Sequence, residues 1–448
     1  MNARLLLAAC CLAAVAGCSK PIAEPAIQYG ANPKLPEPKQ FLFPPMGVTE
    51  AVGWQDGIKP TVPAGFAIQA FASGLHSPRN VLALPNGDVL AVESGGPGVE
   101  PVTRPKDIVF GIVIGRAHGL TKPGNRVLLL RDTNGDGKAD VTKVLADKLD
   151  SPFGIVASGG YLYVAETGAL LRYKFNPGDE AVGPAEKLTE LPKGAIDHHW
   201  TKSLAVSPDG SRLYVGVGSN SNITENGQDA ERDRAAIYEI HPEDGAMRLY
   251  AGGLRNPNGL TFNPETGQLW CVVNERDELG NDLVPDYMTS VKPGAFYGWP
   301  WSYYGQHVDI RVVPRRPDMV KKAIAPDYSL SSHVAPLGLV FEKGSGFPAA
   351  YHGGAFIGEH GSWDRQKPNG YQVAFVPFAG GKPNGPAQTF VGGFLRKDGK
   401  MQGRPVGVAF DPSGALLVAD DVGDAVWRVT PVKPAPPIAA AKGGAARG

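Results

Sequence analysis

Disulfides have almost nothing to work with in this chain. Its 448 residues contain four cysteines, Cys10, Cys11, Cys18 and Cys271. Three of them fall in the first eighteen residues, so a cross-linked scaffold is excluded and packing must hold the fold. Surplus charge is missing too, because 44 Lys and Arg balance 44 Asp and Glu. A surface that tracks phosphates needs excess cation, so no nucleic-acid partner is expected. Beyond residue 16 no stretch keeps a 3.6-residue apolar period, so helices should be few and short. C-x-x-C-H, H-E-x-x-H, a Walker loop and a helix-opening G-x-G-x-x-G are all absent. Their absence argues against covalent haem, a zincin centre, a P-loop and a nicotinamide-binding βαβ unit.

What is present begins with a leader. Arg4 precedes an apolar stretch from Leu5 to Ala16 that is short for a permanent membrane span. Val15-Ala16-Gly17-Cys18 resembles a bacterial lipobox, in which Cys18 is acylated and becomes the new N-terminus; a plain secretory peptide is the other reading. Ser19 resembles an outer-membrane sorting residue. The expectation is therefore a signal peptide over 1–17 and a periplasm-facing lipoprotein, held at the outer membrane by its acyl chains. Residues 18–63 are Pro-rich and read as a tether, and 432–448 as a disordered tail. Cys271, the cysteine left over, sits in an apolar strand pattern and reads as a buried small hydrophobe.

Gly 58 and Pro 41 are both high and evenly spread, which means many turns and many short strands. Six strand–turn–strand units recur, over 84–93, 157–166, 206–215, 262–270, 347–357 and 410–419. Each places Asn, Asp, Gly or Pro between half-buried strands. A ring of such units leaves few long sheet edges exposed. The fold class predicted is all-β, a six-bladed β-propeller over residues 64–431, against a β-sandwich, which has no reason to repeat one hairpin six times.

Several residues on this scaffold carry chemistry. His198 and His199 stand just before the third unit, where an imidazole can exchange a proton near neutral pH. Arg255, fixed by the turn of Asn256-Pro257, is placed to aim a cationic fork into a central cavity or to pair with a neighbouring blade. His333 and His360 also lie near blade mouths, either lining a pocket or capping a turn. The run Asp132-Thr-Asn134-Gly-Asp136-Gly-Lys-Ala-Asp140 has the oxygen spacing of a calcium loop, although Lys143 stands where an EF-hand needs Glu. It reads as a structural calcium loop or as a metal-free turn. The aromatic cluster Tyr297-Gly-Trp-Pro-Trp-Ser-Tyr-Tyr304 is expected to pack between blades.

Gly253-Leu-Arg-Asn-Pro-Asn-Gly259, Gly267-Gln-Leu-Trp270, Asn274-Glu-Arg-Asp277, Gly298-Trp-Pro300, Ala335-Pro-Leu-Gly-Leu-Val-Phe341 and His360-Gly-Ser-Trp363 occur in that order. The series resembles the soluble glucose/sorbosone dehydrogenases that use pyrroloquinoline quinone (PQQ), most of all their sorbosone-dehydrogenase-like branch. The resemblance implies a six-bladed propeller using PQQ and Ca²⁺ to oxidise a sugar or aldehyde. It implies that His199 is the catalytic base and that Arg255 lies against the quinone. It places Asn256, Lys343 and Arg365 as cofactor contacts, and Arg276 and Asp277 as main-chain ligands of the cofactor calcium. With no haem motif, electrons would leave to a separate acceptor, a cytochrome or a quinone. His198 replaces the Asp of the glucose branch, which argues against glucose itself. Two other functions remain open: a calcium-dependent lactone hydrolase using Glu275 and Asp277, and a propeller that only binds.

Overall fold

A computed structural model describes residues 28–41, 46–97, 121–194, 196–344 and 346–432. Cys18 and the leader lie outside these residues. Six antiparallel four-stranded sheets follow one another along the chain, each a blade. The first comprises Pro78–Ala83, Val89–Glu93, Arg126–Arg131 and Val141–Ala146. The second runs from Gly154–Ser158 to Glu186–Glu190, and the third from Leu204–Val206 to Met247–Gly252. The fourth uses Pro257–Phe262, Leu269–Val273, Pro285–Ser290 and Tyr328–Ser332. The fifth extends from Pro336–Phe341 to Gln388–Val391. The sixth is Pro405–Phe410, Leu416–Asp420 and Ala425–Pro431, completed by Phe66–Ser73 from the start of the body. That last pairing closes the ring, because Phe66 lies opposite Pro431 and Ser73 opposite Ala425. The six-bladed propeller expected from the repeated hairpins is what the chain forms, and each repeat marks the turn between a blade's two inner strands.

Local chemistry explains the hairpins. In the third blade Gly210 sits at φ 74° and lets Pro208-Asp209-Gly210 reverse the chain. The Asp209 carboxylate locks that turn by accepting from the Ser211 backbone N–H and from both neighbouring serine hydroxyls. Second strands such as Val89–Glu93 and Leu269–Val273 are buried along their whole length. The reason is that both faces of a blade are covered. Leu90 and Val92 pack toward the second blade, whereas Val89 and Ala91 pack toward the sixth. Six apolar clusters, one between each pair of neighbouring blades, make up most of the core.

Part of the expected tether lies on the body. Tyr29 and Gly30 add a short fifth strand to the edge of the fourth blade, and Ala51 and Thr61 bridge to Met401 and Gly392. Helix is confined, among the described residues, to Pro317–Val320 and short 3₁₀ turns. No described helix is long and apolar enough to cross a membrane. The aromatic cluster packs as expected, with Tyr297, Tyr303 and Tyr304 in the core between the third and fourth blades. Cys271 is buried in the same core and unpaired.

Candidate active site on one rim of the propeller

Antiparallel blades sort their connections onto two rims. The segments leading into each innermost strand share one rim with the loops that follow each second strand. His199 and Arg255 lead into the innermost strands of the third and fourth blades, and Arg276, Asp277 and Arg365 follow the second strands of the fourth and fifth. All five therefore stand on one rim. Lys343 follows Phe341, at the far end of a strand whose near end is Pro336 opposite Glu359. Five residue steps of a strand separate the ends by about 17 Å, so the exposed Lys343 is not brought to the others.

The 132–140 loop likewise joins the third and fourth strands of its blade, on the rim opposite His199. Its side chains fold onto its own backbone: Asp132 accepts from the Gly135 and Gly137 N–H groups, and Asp140 accepts from Thr133. Asp132, Asp136 and Asp140 do not converge as a metal-ligand group.

His199 has a defined protonation state. Its Nδ1 faces the Ser219 carbonyl oxygen at 2.9 Å and the Ser219 hydroxyl at 3.0 Å. That hydroxyl already donates to the Ser221 carbonyl, so both atoms facing Nδ1 are acceptors and Nδ1 must carry hydrogen. Burial, then His198 and Arg255, push the imidazole well below its ordinary pKa. The ring is thus neutral, and its lone pair lies on Nε2. This is the tautomer a general base needs.

Arg255 is tied to His199 through Ser219, whose N–H donates to the Arg255 carbonyl and whose carbonyl accepts from the His199 backbone. The two residues share one wall of the rim. The expected reach of the guanidinium toward a ligand is not seen. Its Nε donates to the Asn222 carbonyl, Nη1 to the carbonyls of Asn274 and Glu275, and Nη2 to Asn222 Oδ1 and Asp277 Oδ2. All five N–H groups are engaged by protein, because two loops converge on this buried side chain. Asn256 next to it is different. Its buried Oδ1 has no partner. It meets His199 Cβ across Gly218, where an added Cβ would stand 2.5 Å from each.

Arg276 is sealed in the interior. Its guanidinium binds Glu275, Asp309 and the carbonyls of Pro300 and Ser302. Glu275 is committed to it, so Glu275 and Asp277 do not form the carboxylate pair of a lactone hydrolase. The Asp277 carbonyl accepts from Asn222 Nδ2 at 3.2 Å and from the Arg311 guanidinium at 3.0 Å. A carbonyl already holding a guanidinium is a poor calcium ligand, since the two cations repel. Main-chain ligation of calcium by Asp277 does not fit this arrangement. Arg365 is buried between blades, paired with Asp282, and its Nε and Nη1 have no partner.

His333 and His360 also stand on this rim, and their carboxylate partners escaped the sequence reading. His360 Nε2 donates to Asp421, which also binds Arg79. Burial, then Arg404, lowers the His360 pKa to about 3. Asp364 joins His333 and the half-buried Asp277 in a triad. Burial raises the Asp364 pKa to about 7. Burial opposes protonation of His333, but Asp277 and Asp364 outweigh it and raise its pKa to about 9. Asp421 and Asp364 lack a motif of their own; only the packing of neighbouring blades brings them to their histidines. Orphaned polar atoms also gather here, among them Arg79 Nε, Ser94 Oγ, Thr201 Oγ1 and Asn256 Oδ1. Buried polar atoms without partners are costly, and a polar ligand would satisfy them.

Comparison with known proteins agrees with this picture. Residues 164–362 match the glucose/sorbosone dehydrogenase family model, and residues 318–431 match a TrAA12-like model. An uncharacterised protein from Borreliella burgdorferi is 30% identical over 241 residues, 53% of this chain and 62% of that one. The chain thus spans less than two thirds of that relative. A pyrroloquinoline quinone-dependent sugar dehydrogenase from Hypocrea jecorina is 22% identical over 416 residues, covering 81% of this chain and 87% of that one. The holo PQQ domain of Coprinopsis cinerea pyranose dehydrogenase superposes with a TM-score of 0.67 at 20% identity, covering 85% of this chain and 99% of that one. At that identity the likeness speaks for the propeller alone. The ordered motifs, the matched family model and the shared architecture agree, without singling out the sorbosone branch: over residues 164–362 the chain is similar to the glucose/sorbosone dehydrogenase family.

Proposed function

We propose that the protein is a PQQ-dependent dehydrogenase that oxidises a sugar or an aldose-type aldehyde. One observation carries the reading: on the rim of a six-bladed propeller, His199 is held neutral with Nδ1–H fixed by Ser219, and among the described residues no hydrogen bond engages Nε2. PQQ, when bound, supplies a two-electron acceptor. The orphaned atoms of Arg79, Ser94, Thr201 and Asn256 are of the donor and acceptor types that a quinone bearing carboxylates would satisfy. His199 Nε2 takes the substrate hydroxyl proton as the adjacent carbon–hydrogen bond breaks. Ser219 keeps the ring oriented during that transfer. Arg255 contributes its charge from behind, disfavouring the protonated ring until the reaction drives it. Calcium is part of the family pattern, but the Asp277 carbonyl which that pattern offers it is taken by Arg311.

His198 beside the base sets a different hydrogen-bond pattern from an Asp, so substrate preference should depart from glucose. The acceptor for the electrons is a separate cytochrome or quinone. The leader and Cys18 support a periplasm-facing, outer-membrane-anchored lipoprotein.

The test is dye reduction by protein reconstituted with PQQ across a panel of aldoses, aldehydes and lactones. Sugar or aldehyde oxidation that requires PQQ is expected. Because the His199 pKa is lowered, the inactive imidazolium accumulates only at acid pH. The acid limb of kcat should therefore lie below pH 6.5, the ordinary imidazole value. Lactone hydrolysis without PQQ, or no turnover on any substrate, would reject the reading.

A further inference from the structure

We propose that Asp277, His333 and Asp364 form a binding site for a divalent transition-metal ion of the zinc or manganese kind. One ligand atom from each lies within 4.8 Å of the others. His333 and Asp364 are buried. His333 Nδ1 and Asp277 Oδ1 are 3.3 Å apart. That exceeds the ~2.7–2.9 Å of a charge-assisted hydrogen bond. Two ligands each ~2.1 Å from one metal stand about 3.0–3.4 Å apart, which the pair matches.

The outer atoms of all three side chains are already fixed. His333 Nε2 donates to the Gly280 carbonyl at 3.1 Å, which turns Nδ1 toward the carboxylates. Asp277 Oδ2 accepts from Arg255 at 3.0 Å, and Asp364 Oδ2 accepts from the Glu278 N–H at 2.7 Å. Such outer partners orient metal ligands and hold a tautomer. Asp364 Oδ1, on a side chain 1% exposed, has no partner. A buried carboxylate oxygen left open beside a second carboxylate and an imidazole nitrogen calls for a cation. The donor set of one imidazole and two carboxylates suits Zn²⁺ or Mn²⁺. It offers too few oxygens for Ca²⁺, which takes six to eight. The site shares Asp277 with the cofactor-calcium position the family resemblance implies, but uses its carboxylate rather than its carbonyl and is complete without PQQ.

The experiment uses the full chain, stripped with chelator and free of PQQ. Equilibrium dialysis against Zn²⁺, Mn²⁺ or Ca²⁺ is followed by metal analysis. One equivalent of Zn²⁺ or Mn²⁺ per chain is expected, bound more tightly than Ca²⁺. Asp364→Asn and His333→Gln should each weaken it by more than about 100-fold, the upper end for losing even an outer-shell partner. Asp132→Asn, on the opposite rim, should leave it unchanged. If neither site variant folds, pulsed EPR on the wild type loaded with Mn²⁺ decides, since an imidazole ligand gives a nitrogen coupling. No uptake by the wild type, equal uptake by folded Asp364→Asn, a preference for Ca²⁺, or Mn²⁺ bound without nitrogen coupling overturns the assignment. A protonated His333 closing the triad by itself would give the first of these results.

Discussion

Replacing His199 with alanine is expected to lower kcat for sugar oxidation by about 10²–10⁴-fold, the usual worth of a positioned acid–base group. PQQ uptake should change little, because the ring's one fixed hydrogen bond is to Ser219 and no cofactor-type charge is removed. His199→Gln keeps a donor toward Ser219 but lacks a titratable nitrogen, so it should be nearly as slow as His199→Ala. The readout is steady-state dye reduction together with PQQ affinity. A loss confined to KM would mean that His199 only binds substrate. A variant with near-normal kcat would remove the base from the account.

The second large effect is on stability. Arg276→Met should destabilise the fold by about 3–5 kcal/mol, the cost of breaking a buried ion pair from one side. Arg276 is fully buried, and its loss would strand Glu275 and Asp309, which are buried with it. Two backbone carbonyls, of Pro300 and Ser302, would also lose their donor. Arg311 still pairs with Asp309, so Glu275 is the more exposed to this penalty. Urea unfolding measures the difference, and adding Glu275→Gln to Arg276→Met should recover part of it. An unchanged midpoint would show that the network contributes nothing net. The prediction treats Arg276 as a structural residue, whereas the sequence motif marked it only for its carbonyl.

The architecture was legible because propeller hairpins are local. Pro208-Asp209-Gly210 and its counterparts state the turns, and alternating apolar residues state the strands. Ring closure was not legible, since Phe66–Ser73 pairs with Ala425–Pro431 more than 350 residues away. The site was read unevenly for the same reason. His199 and Arg255 sit at strand starts that the motifs mark, so the fold places both on the same rim. Lys343 did not, because a short strand carries it from one rim to the other. Arg255 was read as a fork aimed outward, yet the Asn222 loop, 33 residues earlier, surrounds it. The oxygen spacing of 132–140 fits a calcium loop, and the same Asp and Asn side chains cap backbone N–H groups of that loop. Asp364 carries no motif and gains meaning only beside Asp277 and His333.

The central claim is that this rim holds PQQ, and an absorbance titration of the purified chain with PQQ tests it most directly. Saturable spectral change at one PQQ per chain, weakened by substituting Asn256 or Arg79, is the predicted result. A PQQ spectrum that stays that of the free quinone at every protein concentration, with or without added Ca²⁺, would contradict it.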